Sequence, residues 1–466
     1  MILNVVCSLR KDMLGPYDQT VDYTPNLARF AQGGVVFEKH VTESGQSGIS
    51  FASIITGHHA MRHQVYAHPR LLPDGIQTLP EAFAKAGYET FYWEHQSMAS
   101  VDLNYAQGVE ADNAYAGRAL VADDPKFLAL LKRLADDASY RALVVSFDSS
   151  LTHAPYKKDS LDDFCAQYAH HCNAIDTEKA DLFYRNWLAL SYNFPETSRH
   201  LNLAGKDLQD LVDAVKLIYK SRVYYTDKVF GEIVDAVERF GLTEESLIAF
   251  TADHGETLYR QSSLFKWSHA FELAPEVINV PLVVKAPSMG SGRHRDVSRS
   301  VDVFPTVAAL AGVEIEDGGA LLGRDLTSSL TGCQRRQQLA AFSHTGMWPP
   351  VGREWWLRQP LLIRYHPSND PERMWVSLRV GDLVMKYRSA DTGNFYYEAF
   401  DVDEDPDEHR DIFDRHNPAH QHLVRQLNRY RNALVEAYSA PREEDRKRQP
   451  DESKLLEQLR ALGYIE

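Results

Sequence analysis

The sequence is poor in cysteine, in long apolar runs and in positive charge. Four cysteines occur among 466 residues, too few for a disulfide framework. No apolar run approaches the roughly 18 residues of a membrane-spanning helix, and no signal peptide is visible at the start. The formal net charge of -15 argues against a nucleic-acid partner, because phosphate backbones attract basic surfaces. We therefore expect a soluble cytoplasmic protein without membrane or nucleic-acid partners.

The order of apolar and amphipathic segments indicates an α/β fold. Four short apolar runs read as buried strands: residues 2–7, 141–147, 246–252 and 280–285. Amphipathic segments between the strands predict helices, the first of them opened by Thr24 as cap and Pro25 at its first position. Strands that alternate with helices favour a mainly parallel central sheet with helices on both faces.

The chain divides into two predicted domains. Residues 1–330 form the α/β domain, with a polar helical insertion over the site at residues 157–218 and a long helix at 219–240. Residues 331–466 form a smaller C-terminal α+β domain, whose alternating segments are typical of antiparallel strands. We expect the catalytic groups to lie in the first domain, with at most a rim residue such as His344 from the second.

Reactive side chains follow three of the predicted strands. Cys7 ends the first strand, His153 follows the second, and Asp253 with His254 follows the third. Ligands of open α/β sheets bind at the carboxyl ends of strands. An adjacent carboxylate and imidazole can form half of a divalent-metal site. A strand end capped by a helix-starting aspartate is the alternative, and the pair by itself does not decide between them.

Ser47 begins a predicted helix. Its hydroxyl would lie beside free backbone N–H groups at the positive end of the helix dipole, where an anion or an attacking alkoxide is stabilised. A serine at this position can also serve only as a helix cap.

A second group of possible metal ligands lies in the predicted insertion. Cys165, His170, His171 and Cys172 could bind zinc, but their spacing matches no closed zinc site. A structural role for these residues is the favoured interpretation.

A series of motifs runs in order along nearly the whole chain. The motifs are Leu9-Arg10-Lys11-Asp12-Met13-Leu14-Gly15, Thr24-Pro25-Asn26-Leu27, Thr56-Gly57 with Arg62 and His63, Ala86-Gly87-Tyr88-Glu89-Thr90, His153-Ala154-Pro155-Tyr156, Thr251-Ala252-Asp253-His254-Gly255-Glu256, His269 with Val280-Pro281-Leu282, and Asp302-Val303-Phe304-Pro305-Thr306. In this order the chain resembles the sulfatase family of the alkaline-phosphatase superfamily. The resemblance implies that superfamily's fold and an enzyme acting on sulfate or phosphate esters.

The resemblance places Ser47 at the family's nucleophile. In typical sulfatases this Cys or Ser lies in a C/S-x-P-S-R signal and is converted to formylglycine. Here Ile49 and Phe51 occupy the places of the Pro and the Arg. We therefore expect no formylglycine, and a plain Ser47 hydroxyl as in the branch that keeps a Ser or Thr. That branch favours phosphate chemistry, with sulfate esters still open.

The largest departure from the family is at Cys7, where the family has a metal-binding aspartate. A thiolate suits zinc but suits calcium or magnesium poorly. The implied site is one divalent ion held by Asp253, His254, Ser47 and Cys7, with zinc or manganese favoured and calcium as an alternative.

The resemblance also implies roles for residues around the nucleophile. His153 and His269 would stabilise oxygens of the transferred group or protonate the leaving oxygen. Arg62, His63 and His95 would bind the substrate, with His95 nearest to the place of a family lysine.

Two hypotheses about function follow. The first is a metal-dependent hydrolase, or transferase, of small-molecule sulfate or phosphate esters that uses unmodified Ser47. The second is a metal-depleted relative that acts as a binding or scaffold protein, which the substitution at Cys7 favours. Either hypothesis is compatible with a homo-oligomer.

Overall fold

The computed structural model describes residues 1–67, 70–172, 175–176, 178–263, 265–287, 289–316, 323–330, 339–346, 374–389 and 394–439. Its larger sheet has eight strands: β1 (Ile2–Val6), β2 (Val35–Val41), β3 (Glu89–Glu94), β4 (Ala114–Ala116), β5 (Ala142–Asp148), β6 (Ile248–Ala252), β7 (Leu282–Lys285) and β8 (Gly292–Arg299). Their order across the sheet is β4-β3-β5-β1-β6-β7-β2-β8. Only β7 runs antiparallel to its neighbours among these strands. The predicted mainly parallel sheet is confirmed.

Strand β1 shows how the sheet divides the core. Ile2 and Val6 join one buried apolar cluster, while Leu3 and Val5 join a second cluster. Successive side chains of a strand point to opposite faces, so the two clusters lie on the two sides of the sheet. Burial on both faces explains why this strand reads as a continuous apolar run rather than an alternating one.

Helices cover both faces, as the sequence predicts. They are α1 (Pro25–Gln32), α2 (Ser47–Thr56), α3 (Ala60–His63), α4 (Leu79–Lys85), α5 (Pro125–Asp136), α6 (Leu161–Gln167), α7 (Ala169–Cys172), α8 (Lys179–Tyr192), α9 (Phe194–His200), α10 (Gly205–Arg239), α11 (Pro275–Ile278), α12 (Val303–Ala311), α13 (Thr327–Leu330) and α14 (Pro418–Ser439). Helices α1, α5 and α10 contribute to one apolar cluster, and α2, α4 and α12 contribute to the other. Within the described residues, no helix combines the length and the apolar character that crossing a membrane requires.

Helix α10 is longer than the sequence reading suggested. The expected helix began at residue 219, but α10 begins at Gly205 and continues for 35 residues. Leu211, Val215 and Ile218 are all buried, so the apolar spacing continues upstream of residue 219. The predicted insertion at 157–218 therefore consists of α6 to α9 together with the first part of α10.

The start of α1 is also capped differently. Thr24 makes no side-chain cap; its hydroxyl accepts a hydrogen bond from Gly15 N at 2.8 Å instead. The backbone N–H groups of Asn26 and Leu27 donate to the Asp227 carboxylate of α10 at 3.0 and 2.7 Å. A carboxylate from a distant helix thus satisfies the free donors at this helix terminus.

The C-terminal part contains a separate four-stranded antiparallel sheet. Its strands are β9 (Ala340–His344), β10 (Val376–Val380), β11 (Leu383–Ser389) and β12 (Phe395–Asp401), in the order β12-β11-β10-β9. Leu378 of β10 and Leu427 of α14 join the same apolar cluster as Leu3 of β1. The predicted boundary at residue 331 lies outside the described residues, so the division into domains stays a prediction.

Candidate active site

Ser47 is the first residue of a buried helix that follows a strand of the large sheet. Strand β2 ends at Val41, a short loop follows, and every residue of α2 is buried. The Ser47 side chain is at the helix N-terminus and the residue is 1% exposed. Free N–H groups and the helix dipole favour negative charge at this position.

Cys7, Asp253 and His254 meet Ser47 because β1 and β6 are adjacent parallel strands. Val6 pairs with Ala252, so the residues that follow each strand emerge side by side. Ser47 Oγ lies 3.1 Å from His254 Nε2 and 3.4 Å from Cys7 Sγ. The structure thus brings together the four residues predicted from the strand ends and from the helix start.

The donor set at this position fits a divalent metal ion. One ligand atom each from Cys7, Asp253 and His254 lie within 4.8 Å of one another. Asp253 Oδ1 accepts hydrogen bonds from Ser8 N at 3.1 Å and His254 N at 2.7 Å, whereas the buried Oδ2 has no hydrogen-bond donor among the residues that the structure describes. A thiol, an imidazole and a free carboxylate oxygen are donors that zinc accepts.

The protonation of this set agrees with a cation site. His254 Nδ1 donates to the Gly255 carbonyl oxygen at 2.9 Å, which leaves Nε2 facing Ser47 and Asp253. Without a cation, burial and then the charge of Asp253 raise the pKa of the Cys7 thiol well above its usual range. A positive charge bound beside Cys7 would oppose this shift and favour the thiolate.

His269 and His153 extend the cluster as a row of rings. The His269 ring stacks on His254 with centroids 4.3 Å apart, and His153 lies 5.1 Å beyond it. His269 Nδ1 is 3.0 Å from the Glu256 carboxylate, and His153 Nδ1 is 2.6 Å from the Ala154 carbonyl oxygen. Burial lowers the pKa of His153 to about 3 and lowers that of His269 well below its usual value. Both imidazoles are therefore neutral at pH 7.

Gln96 is a site residue that the sequence reading missed. Its Nε2 lies 3.0 Å from Cys7 Sγ and 3.2 Å from Ser47 Oγ. The neighbouring His95, which was predicted instead, lies 3.4 Å from Ser149 Oγ, and its side chain is 40% exposed. Both residues follow strand β3. Their position at the carboxyl end of a strand is the sequence feature that could have pointed to Gln96. The chain turns Gln96 inward and leaves His95 on the solvent side.

Arg62 and His63 differ in burial and in their contacts. Arg62 is exposed, while His63 is fully buried with its Nε2 3.1 Å from Ser53 Oγ and 3.8 Å from Glu43. The described contacts of neither residue include Ser47 or Cys7. Their predicted role in substrate binding stays a prediction.

The two cysteines of the insertion have the structural role that the sequence favoured over a closed zinc site. Cys165 and Cys172 form a disulfide, so neither sulfur is a thiolate that can bind a metal. His170 and His171 instead contact Asp22. Disulfides are rare in cytoplasmic proteins, so the expected cytoplasmic location stays a prediction.

Comparison with known proteins gives related sequences among sulfatases. Choline-sulfatase of Rhizobium meliloti (strain 1021) is 25% identical over 342 residues, which cover 63% of this chain and 64% of that protein. The low-salt glycan biosynthesis sulfotransferase Agl7 of Haloferax volcanii is 30% identical over 149 residues, 29% of this chain and 36% of that protein. The chain thus spans less than two thirds of the length of these curated relatives.

The fold is shared with the solved structure of a hydrolase. The phosphonate monoester hydrolase of Agrobacterium radiobacter superposes with a TM-score of 0.63 at 17% identity, covering 95% of this chain and 98% of that one. The family model described as Sulfatase matches residues 5–313, well over half of the chain. The chain therefore belongs to the sulfatase family.

Proposed function

We propose that this chain cleaves small-molecule sulfate or phosphate esters with the unmodified Ser47 hydroxyl as nucleophile. The observation that carries the proposal is the position of Ser47 Oγ at a helix N-terminus, 3.1 Å from His254 Nε2 and 3.2 Å from Gln96 Nε2. The relatives support the same class of reaction, and the sulfotransferase Agl7 supports transfer to an acceptor alcohol as a variant of it.

The residues of the chain have separate roles in the proposed reaction. The Ser47 oxygen attacks the sulfur or phosphorus atom, the ester oxygen departs, and water or an alcohol later releases the group from Ser47. Gln96 donates a hydrogen bond to the attacking oxygen, and the N-terminus of α2 stabilises its negative charge. When bound, a divalent cation held by Cys7, Asp253 and His254, with Ser47, would favour the ionised hydroxyl and polarise an ester oxygen.

His153 and His269 are placed to meet the transferred group. Both are neutral in the structure, and the negative charge of a bound sulfate or phosphate ester would favour their protonated forms. In that state they stabilise its oxygens or give a proton to the leaving oxygen. His95 follows the same strand as Gln96 and its side chain is 40% exposed, and we keep it as a proposed substrate-binding residue.

A panel of esters tests the proposal. The purified chain, supplied in turn with zinc, manganese and calcium, is assayed on aryl sulfate, aryl phosphate, a phosphodiester and a phosphonate monoester. Turnover of at least one class with one metal is expected. Failure on every class, together with absence of bound metal at the Cys7 site, would leave the alternative of a metal-depleted binding protein.

Ser47 should be found unmodified. Ile49 is wholly buried, and the Phe51 ring stacks on Phe147 with centroids 4.4 Å apart, so the arginine of the formylglycine signal has no counterpart in this aromatic core. Mass measurement of the peptide that contains Ser47 should give the mass of plain serine. A peptide lighter by two hydrogens would overturn this prediction.

Cys7 should decide which metal binds. Cys7→Ser should weaken zinc by at least about tenfold, since even groups that only orient a ligand contribute about 10- to 100-fold to affinity. Cys7→Asp should shift preference toward manganese, calcium or magnesium, because a carboxylate is the harder ligand. Metal competition followed by elemental analysis of the three proteins measures both effects. Identical metal preferences in all three would remove Cys7 from the proposed ligand set.

A further inference from the structure

Two adjacent histidines of the insertion meet a single aspartate of the main body. His170 and His171 belong to the short helix α7, and Asp22 precedes α1. His170 Nε2 lies 3.0 Å from Asp22 Oδ2, and His171 Nε2 lies 2.9 Å from Asp22 Oδ1. One ligand atom from each of the three residues lies within 4.8 Å of the other two.

The rings of this group are held in place by their neighbours. The His171 ring stacks on Phe164 with centroids 5.8 Å apart and meets the edge of Tyr23 at 5.3 Å. The His170 ring lies 4.3 Å from the His171 ring. The side chain of His171 is 18% exposed, so one of the two imidazoles is largely fixed by packing.

The disulfide restrains the same segment from the other side. Cys172 is the last residue of α7, and its bond to Cys165 ties this helix to α6. Phe164, which packs on His171, lies next to Cys165 in α6. The two histidines therefore lie on a short segment that is restrained by a covalent bond and by aromatic packing, which lowers the entropy lost on binding a ligand.

We propose that Asp22, His170 and His171 form a second metal site, which binds zinc or a similar borderline divalent cation. Two imidazoles and one carboxylate are donors that zinc prefers, and the imidazoles discriminate against calcium and magnesium. The exposed side of the group leaves room for water as a further ligand. The hydrogen bonds between the histidines and Asp22 are replaced by bonds to the cation when both Nε2 atoms are unprotonated.

A cation at this position would connect the insertion to the main body. Asp22 and His171 are 149 residues apart in the chain, so the site closes a long loop. A cation that binds the folded chain in preference to the unfolded chain stabilises the folded form. The insertion helices α8 and α9 also contact the loop that carries His269, through Phe183 and Phe194 against Trp267. The proposed site thus fixes a structural element next to the Ser47 site without supplying a catalytic group.

Zinc binding by the full chain tests the proposal independently of ester cleavage. The parent protein is Cys7→Ser/Asp253→Asn, which weakens the Ser47 site, and it is kept without reductant so that Cys165 and Cys172 stay bridged. Zinc alone is titrated by calorimetry. We expect the parent to bind one zinc ion. Adding His170→Ala/His171→Ala should lower the zinc affinity at least about tenfold, because losing a ligand reduces the affinity more than losing a group that only orients a ligand.

Two further variants make the result decisive. Asp22→Asn changes a different segment and should lower the zinc affinity as well. The same loss from this variant would show that the effect of the histidine variant does not come from local damage to α7. His409→Ala removes another exposed histidine beside a carboxylate, Asp405 at 3.9 Å, and should leave the affinity unchanged. Equal zinc affinity in the parent and the double histidine variant, or no zinc bound by the parent, would overturn the proposal. Neither result would bear on ester cleavage at Ser47.

Discussion

Ser47→Ala should lower ester cleavage by at least about 10⁴-fold, a size typical of the loss of a catalytic nucleophile. The alanine cannot form the covalent intermediate, and the neighbouring Cys7 sulfur, as a proposed metal ligand, does not replace the lost hydroxyl. The turnover number on the best substrate of the ester panel measures the effect. Bound metal is determined in the same samples, because Ser47 is also a proposed ligand.

Ser50→Ala is the matched control for this experiment. It also removes a buried serine hydroxyl from helix α2. The Ser50 hydroxyl donates to the Ser44 carbonyl oxygen rather than to any group around Cys7. Its turnover should remain close to that of the unchanged protein. A folded Ser47→Ala variant with full metal content and full turnover would show that another residue is the nucleophile.

Glu43→Ala should have the largest effect on stability, with a loss of about 3–5 kcal/mol in the free energy of unfolding, as for one partner removed from a buried charged network. Glu43 is 2% exposed. Its carboxylate accepts hydrogen bonds from Ser53 Oγ, from Ala60 N at 2.8 Å and from Tyr430 OH at 2.8 Å, and it lies 3.0 Å from His59 Nδ1. Alanine leaves these donors buried without a partner.

Denaturant unfolding measures this effect, with Glu316→Ala as the control. Glu316 is an exposed glutamate paired with Lys85, and exposed ion pairs contribute about 0–1 kcal/mol. If Glu43→Ala unfolds at the same denaturant concentration as this control, the Glu43 network does not stabilise the fold.

The effect of Glu43 should depend on pH in a defined direction. Burial alone would raise the pKa of Glu43, but His59 and the hydrogen bonds from its histidine neighbours hold that pKa well below its usual range. Its stabilisation is therefore fully present above the unfolded pKa of about 4.3 and is lost as the pH falls through the lower folded pKa. The difference between the unchanged protein and Glu43→Gln should shrink only in strong acid.

The Glu43 network also includes His344 of the C-terminal part. The sequence suggested a rim residue, but His344 is fully buried, its Nε2 lies 3.6 Å from Glu43, and its backbone N–H donates to the Glu43 carbonyl oxygen at 2.7 Å. Glu43 and His344 are 301 positions apart in the sequence, and a local sequence pattern cannot predict a contact between residues so far apart. The C-terminal strand β9 therefore reaches the loop that leads into helix α2.

Much of the site could be predicted because its signals are local. The apolar run before Asp253, the helix that begins at Ser47 and the run that ends at Cys7 are each visible within about ten residues. Since parallel strands end at one edge of a sheet, these residues were expected at the same edge once the sheet was mainly parallel. The strand order that makes β1 and β6 neighbours is a property of the tertiary structure. The α/β class followed from the same alternation of strands and helices.

Only the tertiary structure decided the groups that complete these elements. Asp227 rather than Thr24 caps α1, and Gln96 rather than His95 faces Ser47. The reason is that a side chain near a predicted terminus can turn inward or outward at almost equal local cost, and long-range packing chooses between the two directions. The sequence by itself therefore determined which elements form and which of their ends carry chemistry, whereas packing between distant segments determined which neighbouring side chain enters the site.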